Sequence, residues 1–113
     1  MKNNHIDYVE FKANDLEAIK KFYHQSFGWV FTDYGPGYVS FSEGGLNGGF
    51  EKTEEEIVNG ALVILYHQDL ASIKAKILKA GGEITKDIFS FPGGRRFHFM
   101  DPAGNELAVW SDK

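Results

Sequence analysis

The 113-residue chain contains no cysteine, which removes disulfides, thiolate zinc sites and thiol nucleophiles together. The redox compartment stays undecided apart from a lean to the cytosol. No run of about 18 apolar residues is present to span a bilayer. The amino terminus, Met1-Lys2-Asn3-Asn4-His5, lacks the apolar core of a signal peptide. A basic excess is missing as well. Twelve Lys and Arg face 16 Asp and Glu, for a formal charge of -4 and a pI near 5.5. Nucleic-acid domains display a basic face that releases counterions, so no nucleic-acid partner is expected. The expectation is a soluble, cytoplasmic protein that engages neither membrane nor nucleic acid.

What is present points to a packed domain. The length fits one domain, 1–113, able to bury roughly two thirds of its unfolded surface. Ten Phe, five Tyr and two Trp, with hydrophobic residues at 42%, suit a conventional core and a ring-lined interior or cleft.

The sequence repeats itself. A shift of 54 positions lays Val9-Glu10-Phe11-Lys12-Ala13-Asn14-Asp15-Leu16 on Val63-Ile64-Leu65-Tyr66-His67-Gln68-Asp69-Leu70, then Ile19 on Ile73, Lys20 on Lys74 and Gly28 on Gly82. Each copy reads as a strand, an Asp-Leu opening an amphipathic helix, and a Gly closing it. In copy one, Val9, Phe11 and Ala13 share one strand face while Tyr8, Glu10 and Lys12 share the other. The helix is predicted from about Asp15 to Phe27, capped by Asn14 or Asp15 and closed by Gly28. Its buried stripe is Leu16, Ile19, Phe22 or Tyr23, and Ser26 or Phe27. Strands are predicted at Trp29 to Asp33, Tyr38 to Ser42 and Leu46 to Phe50. The polar run from Glu51 leads into a linker. Copy two supplies a strand at Ala61 to His67, a helix from Asp69 to Ala80, and strands near Glu83 to Phe89, Arg95 to Met100 and Glu106 to Ser111.

The expected fold is α+β: two βαβββ modules, about 5–51 and 59–113, joined by a linker at 52–58. One helix per four strands covers only one face of each curved mixed sheet, so the other faces are expected to meet across a ligand cleft. By parity the cleft residues are Tyr8, Glu10 and Lys12; Leu62, Ile64 and Tyr66; Arg96, His98 and Met100; and Glu106, Ala108 and Trp110.

The segment Asn14-Asp15-Leu16-Glu17-Ala18-Ile19-Lys20-Lys21-Phe22-Tyr23 with Phe27-Gly28-Trp29, its echo at Asp69-Leu70, and the closing turn Asp101-Pro102-Ala103-Gly104-Asn105 carry a family likeness. In their order and spacing they resemble the vicinal oxygen chelate superfamily of glyoxalase I, fosfomycin and bleomycin resistance proteins and extradiol dioxygenases. Tyr34-Gly35-Pro36-Gly37-Tyr38 and Gly44-Gly45-Leu46-Asn47-Gly48-Gly49-Phe50 resemble the lactoylglutathione-lyase-related branch. The resemblance implies the glyoxalase/bleomycin resistance fold, a homodimer and, in active members, one divalent ion acting as a Lewis acid.

It also locates that ion's ligands. The first family position falls on Tyr8, its repeat on Leu62 and the last-strand carboxylate on Ala108. Leu and Ala cannot coordinate, and a phenol with a pKa near ~10 is a poor ligand at neutral pH. The expectation is therefore no metal and no cofactor, with a displaced site built from Glu10, His98 and Glu106 as the alternative.

Glu10 and His98 are the candidate catalytic residues, as acid and base; the competing roles are a Glu10 ion pair with Lys12 or Arg96, and a His98 hydrogen-bonded within the wall. Tyr8, Tyr66, Arg96, Glu106 and Trp110 are the candidate ligand contacts, with rings for stacking and a guanidinium for an anionic group. Arg95 and Arg96 follow Pro92-Gly93-Gly94, read as a flexible loop. Asp101, Gly104 and Asn105 are assigned to shaping the turn. His5, His24 and His67 are assigned to the surface or to helix packing. The leading function is binding of a small molecule in an aromatic-lined cleft without metal. The alternatives are a lyase- or isomerase-type enzyme and a non-catalytic scaffold.

Overall fold

A computed structural model describes residues 1–58, 60–100, 102 and 105–113. The elements run β1 (Ile6–Ala13), α1 (Leu16–Phe27), β2 (Val30–Asp33), β3 (Tyr38–Ser42), β4 (Asn47–Lys52), β5 (Leu62–Tyr66), α2 (Leu70–Lys79), β6 (Glu83–Phe91), β7 (Gly94–Met100) and β8 (Glu106–Ser111). The fold is α+β. The chain forms two units: Tyr8–Ala61, the first, and Leu62–Lys113 together with Met1–Asp7, the second. Of the residues assigned to shaping the last turn, Asp101 and Gly104 lie outside the described residues.

In the first unit the strand order is β2-β3-β4-β1, with β1 parallel to β4 and the other pairs antiparallel. In the second it is β6-β7-β8-β5, with β5 parallel to β8 and the others antiparallel. The two units thus repeat one pairing scheme. A parallel pair needs a crossover, and in each unit the crossover contains the helix.

The helices begin as their sequences dictate. Asp15 accepts from the Ala18 amide at 3.1 Å and Asp69 from the Ser72 amide at 3.1 Å, each capping a first turn whose amides have no partner within the helix. Asn14 instead holds the Thr53 and Glu55 carbonyls at 2.7 and 3.0 Å. Gly28 closes α1 in the left-handed conformation at φ 76°. Behind α2 that conformation falls to Gly81, at φ 101°, and not to the repeat position Gly82, because α2 stops at Lys79. The repeat extends to an ion pair: Lys20 donates to Asp33 at 2.9 Å, and Lys74 donates to Asp87 at 2.6 Å.

Each helix covers one sheet face. Ala13, Leu16, Val39, Phe41 and Phe50 form the first core, with Val9, Phe11, Ile19, Tyr23, Trp29 and Phe31 packed on it. Leu70, Phe97 and Val109 form the second, with Ile73, Ile77, Ile84, Ile88 and Phe99 around them. The parity expected for β1, β7 and β8 follows from these contacts, since their alternate residues face away from the helix.

Several local expectations change. Glu51 and Lys52 belong to β4, held in register with Lys12 and Ala13, and so are not linker. Trp29 lies outside β2, its ring stacked on Tyr23 at 4.6 Å and on Phe41 at 4.4 Å. Tyr23, not Phe22, faces the core; Phe22 and Phe27 are exposed. Pro92-Gly93 is a tight two-residue turn between the paired residues Phe91 and Gly94, with Gly93 at φ 109°, in place of a flexible loop.

Candidate functional site

On the helix-free face of the first unit, Tyr8, Glu10 and Lys12 of β1 stand in register with Asn47, Gly49 and Glu51 of β4. Gly49 in turn faces Ser40 of β3, two residues from Tyr38. A Cβ at Gly49 would overlap the Tyr38 phenol, so the missing side chain is what lets that ring lie across β4. The Tyr38 hydroxyl reaches Glu10 Oε1 at 3.1 Å and the Tyr8 hydroxyl at 2.7 Å. Glu10 is buried. Burial first, then the hydrogen bond with Tyr8 and the Glu10 charge, push the Tyr38 phenol far above its ordinary pKa, so it stays a neutral donor.

In the second unit the register sets Ile64 beside Ala108 and Ala108 beside His98, and it sets Tyr66 beside Trp110 and Trp110 beside Arg96. These rows face away from α2. The His98 side chain is 13% exposed, with Nδ1 3.8 Å from Glu106 Oε2, and the Thr85 hydroxyl donates to the same oxygen at 2.9 Å. Tyr66 and Trp110 meet edge to face at 5.4 Å. Their polar tips are engaged within the unit: Trp110 Nε1 donates to Asp7 at 3.0 Å and the Tyr66 hydroxyl to Asp112 at 2.5 Å. That second bond raises the phenol's pKa and lowers the carboxyl's.

The strand β6 adds residues that parity did not reveal. Its register with β7 shifts between Ile84 and Lys86 and again between Lys86 and Phe89. Such bulges re-aim side chains. Ile84 and Ile88 pack toward α2, while Lys86 pairs with His98 and Phe89 with Arg96. The Lys86 ammonium sits 4.4 Å from the Phe89 ring centroid; the Arg96 guanidinium lies 5.4 Å from Phe89 and 5.8 Å from Phe91. Phe91 is 6.3 Å from Trp110.

The sequence-derived candidates therefore divide between the units. Tyr8 and Glu10 belong to the first; Tyr66, Arg96, His98, Glu106 and Trp110 belong to the second. The residues that sequence reasoning missed are Tyr38, Lys86, Phe89 and Phe91. Arg95 Nε donates to the Lys113 carbonyl at 3.2 Å. His24 Nδ1 contacts the Trp29 carbonyl oxygen at 3.0 Å, and His67 Nδ1 accepts from the Asp69 amide at 2.9 Å, so both serve local structure.

The donor set does not fit the ion that the family resemblance implies. Ala108 is fully buried, Leu62 offers no lone pair, and the Tyr8 hydroxyl is bonded to Tyr38. Among the described residues no group of three His, Asp or Glu side chains stands where it could hold a metal.

Residues 5–109 match the model of the Glyoxalase/Bleomycin resistance protein/Dioxygenase superfamily. The chain belongs to this superfamily. A glyoxylase-like domain-containing protein of Didymella fabae is 30% identical over 120 aligned positions, covering 92% of this chain and 91% of that one. Among solved structures, the Mn(II)-bound glyoxalase of Novosphingobium aromaticivorans superposes with a TM-score of 0.72 at 22% identity, over 98% of this chain and 40% of that one. Methylmalonyl-CoA epimerase of Mycobacterium tuberculosis gives 0.72 at 12% identity, over 94% and 86%. At these identities the superpositions speak for the superfamily's fold alone. Among the described residues no helix of this superfamily member is long and apolar enough to cross a membrane.

Proposed function

We propose that this chain is a small-molecule-binding member of the superfamily that holds its ligand on helix-free sheet faces and does without the customary ion. The reading rests on the replacement of ligating side chains by Leu62 and Ala108 on a face that also carries Tyr66, Arg96 and Trp110. An apolar wall with a few fixed polar groups is the usual composition of a ligand site. Cytoplasmic residence and homodimeric assembly complete this reading.

Two measurements test it. Protein purified without chelator is expected to carry no stoichiometric Zn, Ni, Fe or Mn; a full equivalent of any of these would overturn the metal-free reading. Thermal-shift screening against aromatic and acidic metabolites is expected to give hits, since a ligand at one hundred times its Kd adds about 2.7 kcal/mol. A screen without hits would favour a scaffold.

The contact between Tyr38 and the buried Glu10 supports a second reading, the enzymatic one, in which Glu10 works as an acid or base on a molecule bound at the helix-free face of the first unit. Glu10→Gln would then abolish proton exchange into a bound carbon acid while leaving its binding intact.

A further inference from the structure

The second bulge in β6, between Lys86 and Phe89, places these two residues on one face although three positions separate them. An undistorted strand would set residues of odd separation on opposite faces. The outcome is that two cations share one ring: the Lys86 ammonium at 4.4 Å and the Arg96 guanidinium at 5.4 Å from the Phe89 centroid. A ring face attracts each cation, so both are held beside the same ring, within reach of one ligand group. Beyond Arg96 the face turns aromatic. Phe91 and Trp110 are half-buried, and the indole N–H is engaged by Asp7, so Trp110 offers its ring and not its donor.

We propose that the bulged β6–β7 face of the second unit is a subsite for a planar organic anion, its carboxylate drawn to Lys86 and Arg96 and its ring system laid on Phe91 and Trp110. This rests on the small-molecule reading above and names the class of molecule bound. The charge pattern selects the class: a neutral flat molecule would use the rings alone, and a small inorganic anion would use the cations alone. Phe89 acts as a positioning residue, holding both cations on one side of the strand.

The test compares 2-naphthoate with 2-naphthamide, and with inorganic phosphate, by calorimetry on the full chain. The naphthoate is expected to bind at least tenfold more tightly than the amide, and phosphate weakly. Lys86 is exposed, so Lys86→Met should fold normally and weaken naphthoate several-fold without changing the amide. Arg96→Met should cost more, and Phe89→Leu should lower affinity for the anion while leaving the amide unchanged. Lys79→Met, on α2, controls for net charge and should do nothing.

Equal affinity for acid and amide would overturn the anion subsite while leaving a binding protein. Equal losses from Lys86→Met and Lys79→Met would reduce the effect to bulk electrostatics and overturn it as well. If neither naphthyl probe binds but the metabolite screen gives other hits, this inference alone falls. An empty screen removes the binding reading with it.

Discussion

The Tyr38 hydroxyl reaches Glu10 Oε1 at 3.1 Å by crossing β4 where Gly49 has no side chain. A methyl group at that position meets the phenol ring, so Gly49→Ala is expected to cost about 1–3 kcal/mol through overpacking. In a Tyr38→Ser background most of that cost should vanish, because the ring is gone. Urea denaturation of the two single variants and the double variant gives the coupling directly. Equal costs in both backgrounds would show that the ring does not occupy the space over Gly49.

The repeated ion pair titrates from opposite ends in the two units. In the second, the hydrogen bond from Lys74, followed by the Ile88 amide, lowers the Asp87 carboxyl below 3.8. A carboxyl lowered on folding stabilises the native state above its unfolded pKa, and that contribution disappears as pH falls through the lowered value. Asp87→Asn should therefore lower Tm at neutral pH, and its gap from wild type should close on acidification below about 3.8. In the first unit the bond to Asp33, then that to Glu17, raises Lys20 above 10.5. That contribution is complete below 10.5 and is lost as pH rises through the raised value. Lys20→Met should accordingly converge with wild type only in strong alkali. A gap that stays constant across either window would count against the ion pair concerned.

The helical stripe left Phe22 and Tyr23 as alternatives, and their neighbours separate them. Tyr23 packs on the first core and stacks on Trp29 at 4.6 Å, whereas Phe22 is 54% exposed. Tyr23→Ala is expected to cost about 3 kcal/mol as a large-to-small change in packed surroundings. Phe22→Ser should stay within about 0.5 kcal/mol of wild type. The reverse order in thermal and chemical denaturation would place α1 one residue out of rotation.

How far the sequence reached follows from the range of each signal. Asp15 and Asp69 announced their helices because capping acts within three residues, and the 54-residue shift tied both helices to one pattern. Parity placed Glu10, Tyr66, Arg96, His98 and Trp110 on the correct faces because β1, β5, β7 and β8 pair without slips. In β6 the same rule failed, since a bulge resets the alternation and its location depends on the partner strand. Lys86, Phe89 and Phe91 were invisible for that reason. Tyr38 was hidden differently. Its link to Glu10 spans 28 positions and exists because Gly49 lies between them, and only strand register reveals this. The glycine pair at 48–49, inside the strand predicted from Leu46 to Phe50, is the one hint the sequence offers that a ring has room to cross there.

Asp7 and Trp110 stand 103 positions apart, yet the carboxylate accepts the indole N–H at 3.0 Å. The same unit lays the amino-terminal segment along β5: the Asn4 amide donates to the Tyr66 carbonyl at 2.8 Å and the Tyr66 amide to the His5 carbonyl at 3.1 Å. Asp7 therefore fixes both the segment and the ring plane of Trp110. Asp7→Ala is expected to cost about 1.5–3 kcal/mol, the worth of a hydrogen bond to a charged acceptor. Asp7→Asn keeps a side-chain acceptor and should recover most of the loss. Trp29 is stacked in the first unit, so in a Trp29→Phe background the indole emission reports Trp110 alone. There, Asp7→Ala should shift the emission to longer wavelength as the indole gains water, and Asp7→Asn should not. If Asp7→Ala leaves both stability and emission unchanged, Asp7 does not hold the ring.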